Sequence, residues 1–256
     1  MHTTLNGLSN NTIKPLPSYH QYLKCERKVE QRIASRGGKK NSMNYERIYE
    51  YRFHLVSHNK KKIIWKVIAK FFYKILGNPT RILDSAGGMC EFINAVPSAE
   101  RWTVDIVEAI KKYADPDVKL IIGDILTVDL PENYFDAVFI SNFLEHLHSQ
   151  EEVSFFLDRM YKSLKPGGKI AIIGPNFKYC YKQYFDFADH TVVLSELGVE
   201  EHLYGSGFKI TRSHARFLPL SFRGNLPIHP ILVKIYLAFP FGWWILGKQF
   251  LIIGEK

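Results

Sequence analysis

Cysteine is scarce in this chain. Its three cysteines, Cys25, Cys90 and Cys180, stand in no CxxC or CxxH spacing, which excludes a disulfide scaffold and leaves no zinc framework. A reducing, cytoplasmic setting is the expectation. Long apolar runs are missing as well. The most apolar stretch, 231–254, is interrupted by Lys234, Pro240 and Lys248, with only 13 residues between the two lysines, short of the roughly 20 that span a bilayer. The polar start, Met1 to Ile13, has no charged segment leading into an apolar one, so secretion is not expected. Acidic residues are sparse in one third only. Residues 1–81 hold 17 Lys+Arg against 4 Asp+Glu, net +13, while 82–256 hold 17 against 21, net −4. That asymmetry points to an anionic partner (nucleic acid, membrane surface or phosphorylated substrate) or to a merely solvated basic surface.

What is present is globular. Of 256 residues, 46% are hydrophobic and 23% charged, enough apolar content for a large core. Residues 1–18 read as a loose arm, 19–33 as a helix, and 35–42, with paired glycines and like charges, as a break. A helical region follows from Asn44 to Leu76, ended by Gly77-Asn-Pro79. Within it Lys62, Lys66, Lys70 and Lys74 recur every four residues among apolar positions. This is an amphipathic helix with a basic ridge, either packed with its lysines in solvent or attached to anionic lipid or substrate.

From Arg81 short apolar runs alternate with helical segments. Strands are expected at 81–84, 101–105, 119–122, 135–141 and 169–174, with helices near 91–96, 106–113 and 151–164. Such alternation implies a parallel sheet covered on both faces. Another helix is expected at 195–206, a strand from Gly207 towards Phe217, an aromatic, proline-containing helical insertion at 218–246, and a last strand at 247–253 running antiparallel to its neighbour. The chain thus divides into a basic helical extension, 1–79, and an α/β domain, 80–256.

The chemistry gathers where the strands end. Ile82-Leu-Asp84 runs into Ser85-Ala-Gly-Gly-Met-Cys-Glu, small residues that let a ligand approach the backbone, with a helix N-terminus expected behind them. Asp105 closes the second strand, about twenty residues on, where a carboxylate accepts hydrogen bonds from both hydroxyls of a ribose. Asp124, after the third strand, is placed to receive an adenine amino group. Three acidic strand ends around one crevice are unusual.

These residues resemble the class I S-adenosylmethionine (SAM)-dependent methyltransferases, most closely the type 11 and type 23 subgroups. The similar segments are ILDSAGGMCEF (82–92), VD (104–105), GDI (123–125), YFDAV (134–138), SNFLEHL (141–147), LKPGGK (164–169) and PN (175–176). The resemblance implies a Rossmann-like, doubly wound, mostly parallel seven-stranded sheet whose last strand is antiparallel. It also implies that Asp84, Ala86, Gly87 and Gly88 lie near the methionine part of SAM. Asp105 and Ile106 would hold the ribose side, Asp124 and Ile125 the adenine, and Ser141 and Asn142 would line the cofactor beyond the fourth strand. One departure concerns the loop: the family pattern Asp-x-Gly-x-Gly-x-Gly has Ala86 and Cys90 at two of its glycine positions here.

Weaker aromatic similarities at 175–179, 184–190 and 216–219 point to the subgroup associated with bacterial polysaccharide biosynthesis, and so to O-methylation of a sugar or glycan intermediate, free or lipid-linked. A hydroxyl acceptor benefits from a base, for which the candidates are His190 and His146, with Asp186 and Asp189 orienting His190 or binding sugar hydroxyls. Glu145, His146 and His148 suggest metal ligands, but no further well-spaced partner accompanies them and no metal is expected. The insertion, with Phe239, Phe241, Trp243 and Trp244 beside Lys234 and Lys248, reads either as a packed cap or dimer contact or as an element resting in the membrane interface, at the inner face of the membrane. Two competing functions are a degenerate methyltransferase fold that only binds, and RNA methylation. The latter lacks both a recognisable RNA-binding module and the Asn/Asp-Pro-Pro-aromatic signature.

Overall fold

A computed structural model describes residues 31, 44–53, 58–220 and 229–256. The loose arm, the break at 35–42, Cys25 and all but Gln31 of the expected first helix lie outside these residues. So does 221–228 of the insertion.

Seven strands form one sheet in the order β3-β2-β1-β4-β5-β7-β6. They are β1 (Arg81–Asp84), β2 (Glu100–Asp105), β3 (Val118–Ile122), β4 (Phe135–Ser141), β5 (Leu164–Pro175), β6 (Lys209–His214) and β7 (Gln249–Glu255). β1 to β5 pair in parallel, and β7 is antiparallel to both its neighbours, β5 and β6. The doubly wound sheet with an antiparallel last strand is therefore observed.

Alternation along the strands feeds two cores. Leu83, Val138, Ile140, Ile170 and Ile172 point to one face, where α3 (Gln150–Ser163) and α5 (Glu196–Gly205) bring Phe156, Met160, Val199 and Leu203. Ile82, Ala137, Phe139, Ala171 and Ile173 point to the other, as a two-residue period requires. Onto that second face packs α2 (His58–Ile75), the longer of two N-terminal helices; α1 is Tyr45–Phe53. Ile64, Ile68, Ala69, Phe72 and Leu76 are buried, largely at three- and four-residue steps, and the Phe72 ring meets Phe139 at 4.8 Å. Lys62, Lys66, Lys70 and Lys74 are exposed. The basic ridge is thus the solvent face of a core helix, which joins the N-terminal segment to the sheet.

The expected helix at 91–96 is absent, and the chain makes a series of turns there. Cys90, at φ 58, blocks a helical entry and Pro97 stops propagation. Between them the Asn94 side chain donates to the Tyr113 carbonyl and accepts from the Asp115 N–H, which ties the segment to the 108–115 turn. The expected helix at 106–113 is a single 3-10 turn, Glu108–Lys112. By contrast, α3 starts as the sequence spells it. Ser149, the N-cap, accepts the Glu152 N–H at 3.3 Å, and Glu152 reaches back to accept the N–H of His148, one residue before the cap, at 3.1 Å.

Within the insertion, α6 (Pro230–Ala238) and α7 (Pro240–Leu246) each begin at a proline, where its fixed φ and missing N–H are tolerated. α4 is one turn, Phe177–Cys180.

Candidate functional site

Strand register brings the predicted cofactor residues to one edge. Asp84 pairs with Thr103 and Phe139, so Asp105 and Ser141 stand two residues beyond it on the flanking strands, and Asp105 pairs with Ile122 just before Gly123-Asp124. Four strand ends meet along the carboxyl edge, where ligands of such sheets bind.

Asp84 is 3% exposed, its Oδ1 has no hydrogen-bond partner, and burial first of all pushes its carboxyl up to about 7, with Asp105 and Glu91 adding repulsion and the Ala86 N–H opposing. Asp105 accepts the Gly88 N–H at 2.9 Å through Oδ2 and the Val107 N–H at 2.8 Å through Oδ1. Its pKa is raised by burial, against the pull of those donors. Gly87 touches the neighbouring strand: its N–H donates to the Val104 carbonyl, and a Cβ there would sit 2.1 Å from Thr103 Oγ1. Gly88 turns left-handed at φ 53. The Ala86, Gly87 and Gly88 N–H groups are thus taken up by Asp84, Val104 and Asp105, and the helix N-terminus that the sequence suggested is absent.

The loop's departure from the family pattern finds a physical account. Cys90 adopts the left-handed conformation that glycine favours, and its side chain is fully buried among Phe92, Ile93 and Ile110 in the second core. Ala86 sits half-buried beside Asp84. Asp124 receives the Leu126 N–H at 2.9 Å. Ile106 is 54% exposed and offers an open apolar surface, whereas the Ile125 side chain is buried in the first core. Asn142 is exposed at φ 49 and donates to Ser141 Oγ at 3.1 Å.

A second constellation lies beyond β4. Glu145 and His146 occupy a 3-10 turn, Leu144–His146, and His190 arrives from 44 residues downstream because the Thr191 and Val192 N–H groups both donate to the Glu145 carbonyl. Glu145 Oε1 lies 3.9 Å from His146 Nε2 and 4.0 Å from His190 Nε2. His146 Nδ1 is 2.9 Å from the Asp189 carbonyl oxygen. Burial raises the Glu145 pKa and lowers that of His190 to about 4, so both tend to the neutral form. His190 is stacked on Phe187 at 4.7 Å. Asp189, buried and ion-paired with Arg52 of α1, takes the position next to His146.

Asp186, the carboxylate predicted beside His190, is exposed and joins neither histidine in any described contact. His148 belongs to the α3 cap, 3.3 Å from Glu152. Of the two carboxylates expected to orient His190, Asp189 stands beside His146; Glu145, read from the sequence only among metal ligands, faces both histidines, and Arg52 is the residue that sequence reasoning missed. Arg52 had no signal beyond general basicity, because its partner lies 137 positions away.

Seven strands in this order, an antiparallel seventh and acidic ends to the first two strands define the class: this is the fold of the class I SAM-dependent methyltransferases. It is shared with a SAM-dependent methyltransferase from Archaeoglobus fulgidus, at a TM-score of 0.60 and 20% identity over 83% of this chain and 100% of that one. Residues 83–172 match the family model described as "Methyltransferase domain". The chain is 29% identical to phosphoethanolamine N-methyltransferase of Plasmodium falciparum over 136 residues, covering 47% of this chain and 51% of that protein. It is 36% identical to phosphoethanolamine N-methyltransferase 2 of Caenorhabditis elegans over 96 residues, 38% of this chain and 21% of that protein. The chain therefore spans about half, or less, of the length of these relatives.

Proposed function

We propose that this protein is a SAM-dependent methyltransferase that methylates a hydroxyl of a sugar or glycan intermediate. The observation that carries the cofactor half is the pair of buried carboxylates at the ends of β1 and β2. Asp84 keeps an unpartnered buried oxygen that a cationic amino end of the donor would satisfy. Asp105 is fixed by two backbone donors with lone pairs left for a ribose diol. The close approach of Gly87 to β2 leaves room for a ligand against the loop. SAM, when bound, supplies a methyl group activated on a sulfonium. The chain's own contribution is to hold the acceptor in line, keep water out and accept a proton.

For the proton, Glu145, His146 and His190 form the receiving cluster. The side chain of His146 is 18% exposed against 5% for His190, so His146 is the imidazole an acceptor reaches. A second acceptor class, an amine bearing a phosphate, is favoured by the printed names of the two relatives. The basic first third of the chain suits a phosphorylated acceptor of either kind.

The α6–α7 face supports placement at a lipid surface. Ile231, Ile235, Phe239, Phe241, Trp244 and Ile245 are each more than half exposed, a large apolar patch beside Lys234. No helix among the described residues is long and apolar enough to cross a membrane. Flotation with anionic vesicles, abolished by Trp244→Ser with Phe241→Ser, is the expected result; unchanged flotation would remove the lipid contact.

The function is tested by melting and by turnover. SAM or S-adenosylhomocysteine at about 100 times its dissociation constant adds roughly 2.7 kcal/mol, a rise in Tm on the order of 5 to 10 °C. His146→Ala and His190→Ala keep that shift while transfer of labelled methyl to sugar nucleotides falls about 100-fold or more. Labelling of phosphoethanolamine instead would establish the amine reading, and absence of any shift would favour the non-catalytic one.

A further inference from the structure

Beyond β4 the protein gathers more ligand chemistry than a proton acceptor needs. One ligand atom each from Glu145, His146 and His190 lie within 4.8 Å of one another. The Glu145 side chain is 1% exposed, and neither of its carboxylate oxygens has a hydrogen-bond partner, an expensive arrangement for a polar group in the interior. Its Oε1 faces both histidine Nε2 atoms, at 3.9 and 4.0 Å. The tautomer of His146 is set from behind: Nδ1 donates to the Asp189 carbonyl at 2.9 Å, which leaves the Nε2 lone pair turned to the cluster. Metal-bound histidines are oriented in this way by a carbonyl or carboxylate on the far nitrogen. Asp189 is itself clamped by Arg52, and the stacking of His190 on Phe187 fixes the other ring.

We propose that Glu145, His146 and His190 bind a divalent first-row transition ion, Zn2+ or Mn2+ in class, whose open positions hold the oxygen of the methyl acceptor. Two imidazoles and one carboxylate with vacant positions suit such ions and disfavour Mg2+ and Ca2+, which take oxygen ligands. Ligand bonds of about 2.0–2.2 Å set ligand atoms about 3.4 Å apart, which draws Glu145 Oε1 in by roughly half an ångström toward each histidine and closes any wider pair, at most 4.8 Å apart, by up to about 1.4 Å through side-chain torsions. This deepens and rests on the methyl-transfer reading: the cluster then lowers the pKa of the acceptor hydroxyl through the ion. With the ion bound, the three side chains act as ligands and not as the base: the acceptor oxygen gives its proton to water and forms the O–CH3 bond as the S–CH3 bond breaks, with the bonding pair left on sulfur.

Binding is read separately from activity. The full chain, stripped with chelator and dialysed, is titrated with ZnCl2, MnCl2 and MgCl2 by calorimetry and with CoCl2 by visible absorption. The expected result is one Zn2+, Mn2+ or Co2+ per chain at micromolar or tighter affinity, with Mg2+ at least 100-fold weaker. Glu145→Gln and His190→Gln weaken binding at least 100-fold while circular dichroism stays native, and His148→Ala, outside the cluster, leaves it unchanged. Should either cluster variant misfold, His146→Ala, whose ring is the most accessible of the three, serves in its place. Absence of saturable binding at 100 µM ion, or binding that survives loss of the cluster, overturns the proposal. Methyl transfer that survives chelation while SAM still raises the Tm overturns the metal proposal alone, whereas loss of the SAM-induced rise overturns the cofactor reading beneath it.

Discussion

Around β1 to β3, each functional carboxylate is held by backbone N–H groups of its own loops: Asp84 by Ala86, Asp105 by Gly88 and Val107, Asp124 by Leu126. Beyond β4 the groups come from three distant stretches, Arg52 in α1, Glu145 and His146 after β4, and Asp189 with His190 before α5. Buried oxygens of Glu145 and Asp189 are left unpartnered there. The first arrangement is local and largely satisfied, which suits a constant ligand. The second is assembled by tertiary packing and keeps unspent hydrogen-bonding capacity, which suits chemistry on an acceptor.

Asp84 gives the sharpest way to break this contrast, because it is the cofactor-side group that remains partly unsatisfied. Its carboxyl lies at about 7 in the folded chain against 3.8 for the ordinary value, so the native state holds a proton that the unfolded state has released. Stability from this group is complete below about pH 4 and is lost as pH rises towards 7, in all on the order of 4 kcal/mol. Urea midpoints of the cofactor-free protein should fall between pH 4 and 7.5, and Asp84→Asn should flatten that fall. An identical slope in the variant would place the titration elsewhere.

Asp105→Ala comes next. It removes the acceptor for two backbone donors at once, each hydrogen bond to a charged group being worth about 1.5–3 kcal/mol, and takes away the ribose anchor. SAM affinity measured by calorimetry should drop roughly 100-fold or more, while His146→Ala should leave it within about twofold. If both variants lose affinity alike, the two regions are one site energetically and the division fails.

What could be read in the sequence follows the same line. The strands from Arg81 to Asp105, the capped α3 and the antiparallel β7 rest on periodicity and local signals, and they are where the chain suggests. The segment 91–96 looked helical because Phe92, Ile93 and Val96 carry helix-compatible spacing, yet Cys90 and Pro97 bracket too few residues for a helix to pay its nucleation cost. Asp186 and Asp189 are equally acidic and three residues apart. Only the docking of α1, through Arg52, selects Asp189, and such a contact across 137 positions leaves no local trace. The basic ridge of α2 has the period of a helix packed on a sheet, with its lysines on the exposed face.

The smallest expected effect concerns the two unusual loop positions, and it separates conformation from contact. A Cβ at Gly87 would meet Thr103 Oγ1 at 2.1 Å on a neighbouring strand, so Gly87→Ala must push the loop away from β2, costing about 1–3 kcal/mol and weakening SAM with it. At Cys90 two terms oppose. Glycine relieves the left-handed backbone, φ 58, by roughly 1–2 kcal/mol, but deletes a thiol wholly buried against Phe92 and Ile93, which leaves a small cavity of comparable cost. Cys90→Gly should therefore move Tm by only a few degrees in either direction and leave SAM affinity unchanged. A large gain in affinity from Cys90→Gly would show the thiol crowding the cofactor, and would make the local half of the site as strained as the assembled one.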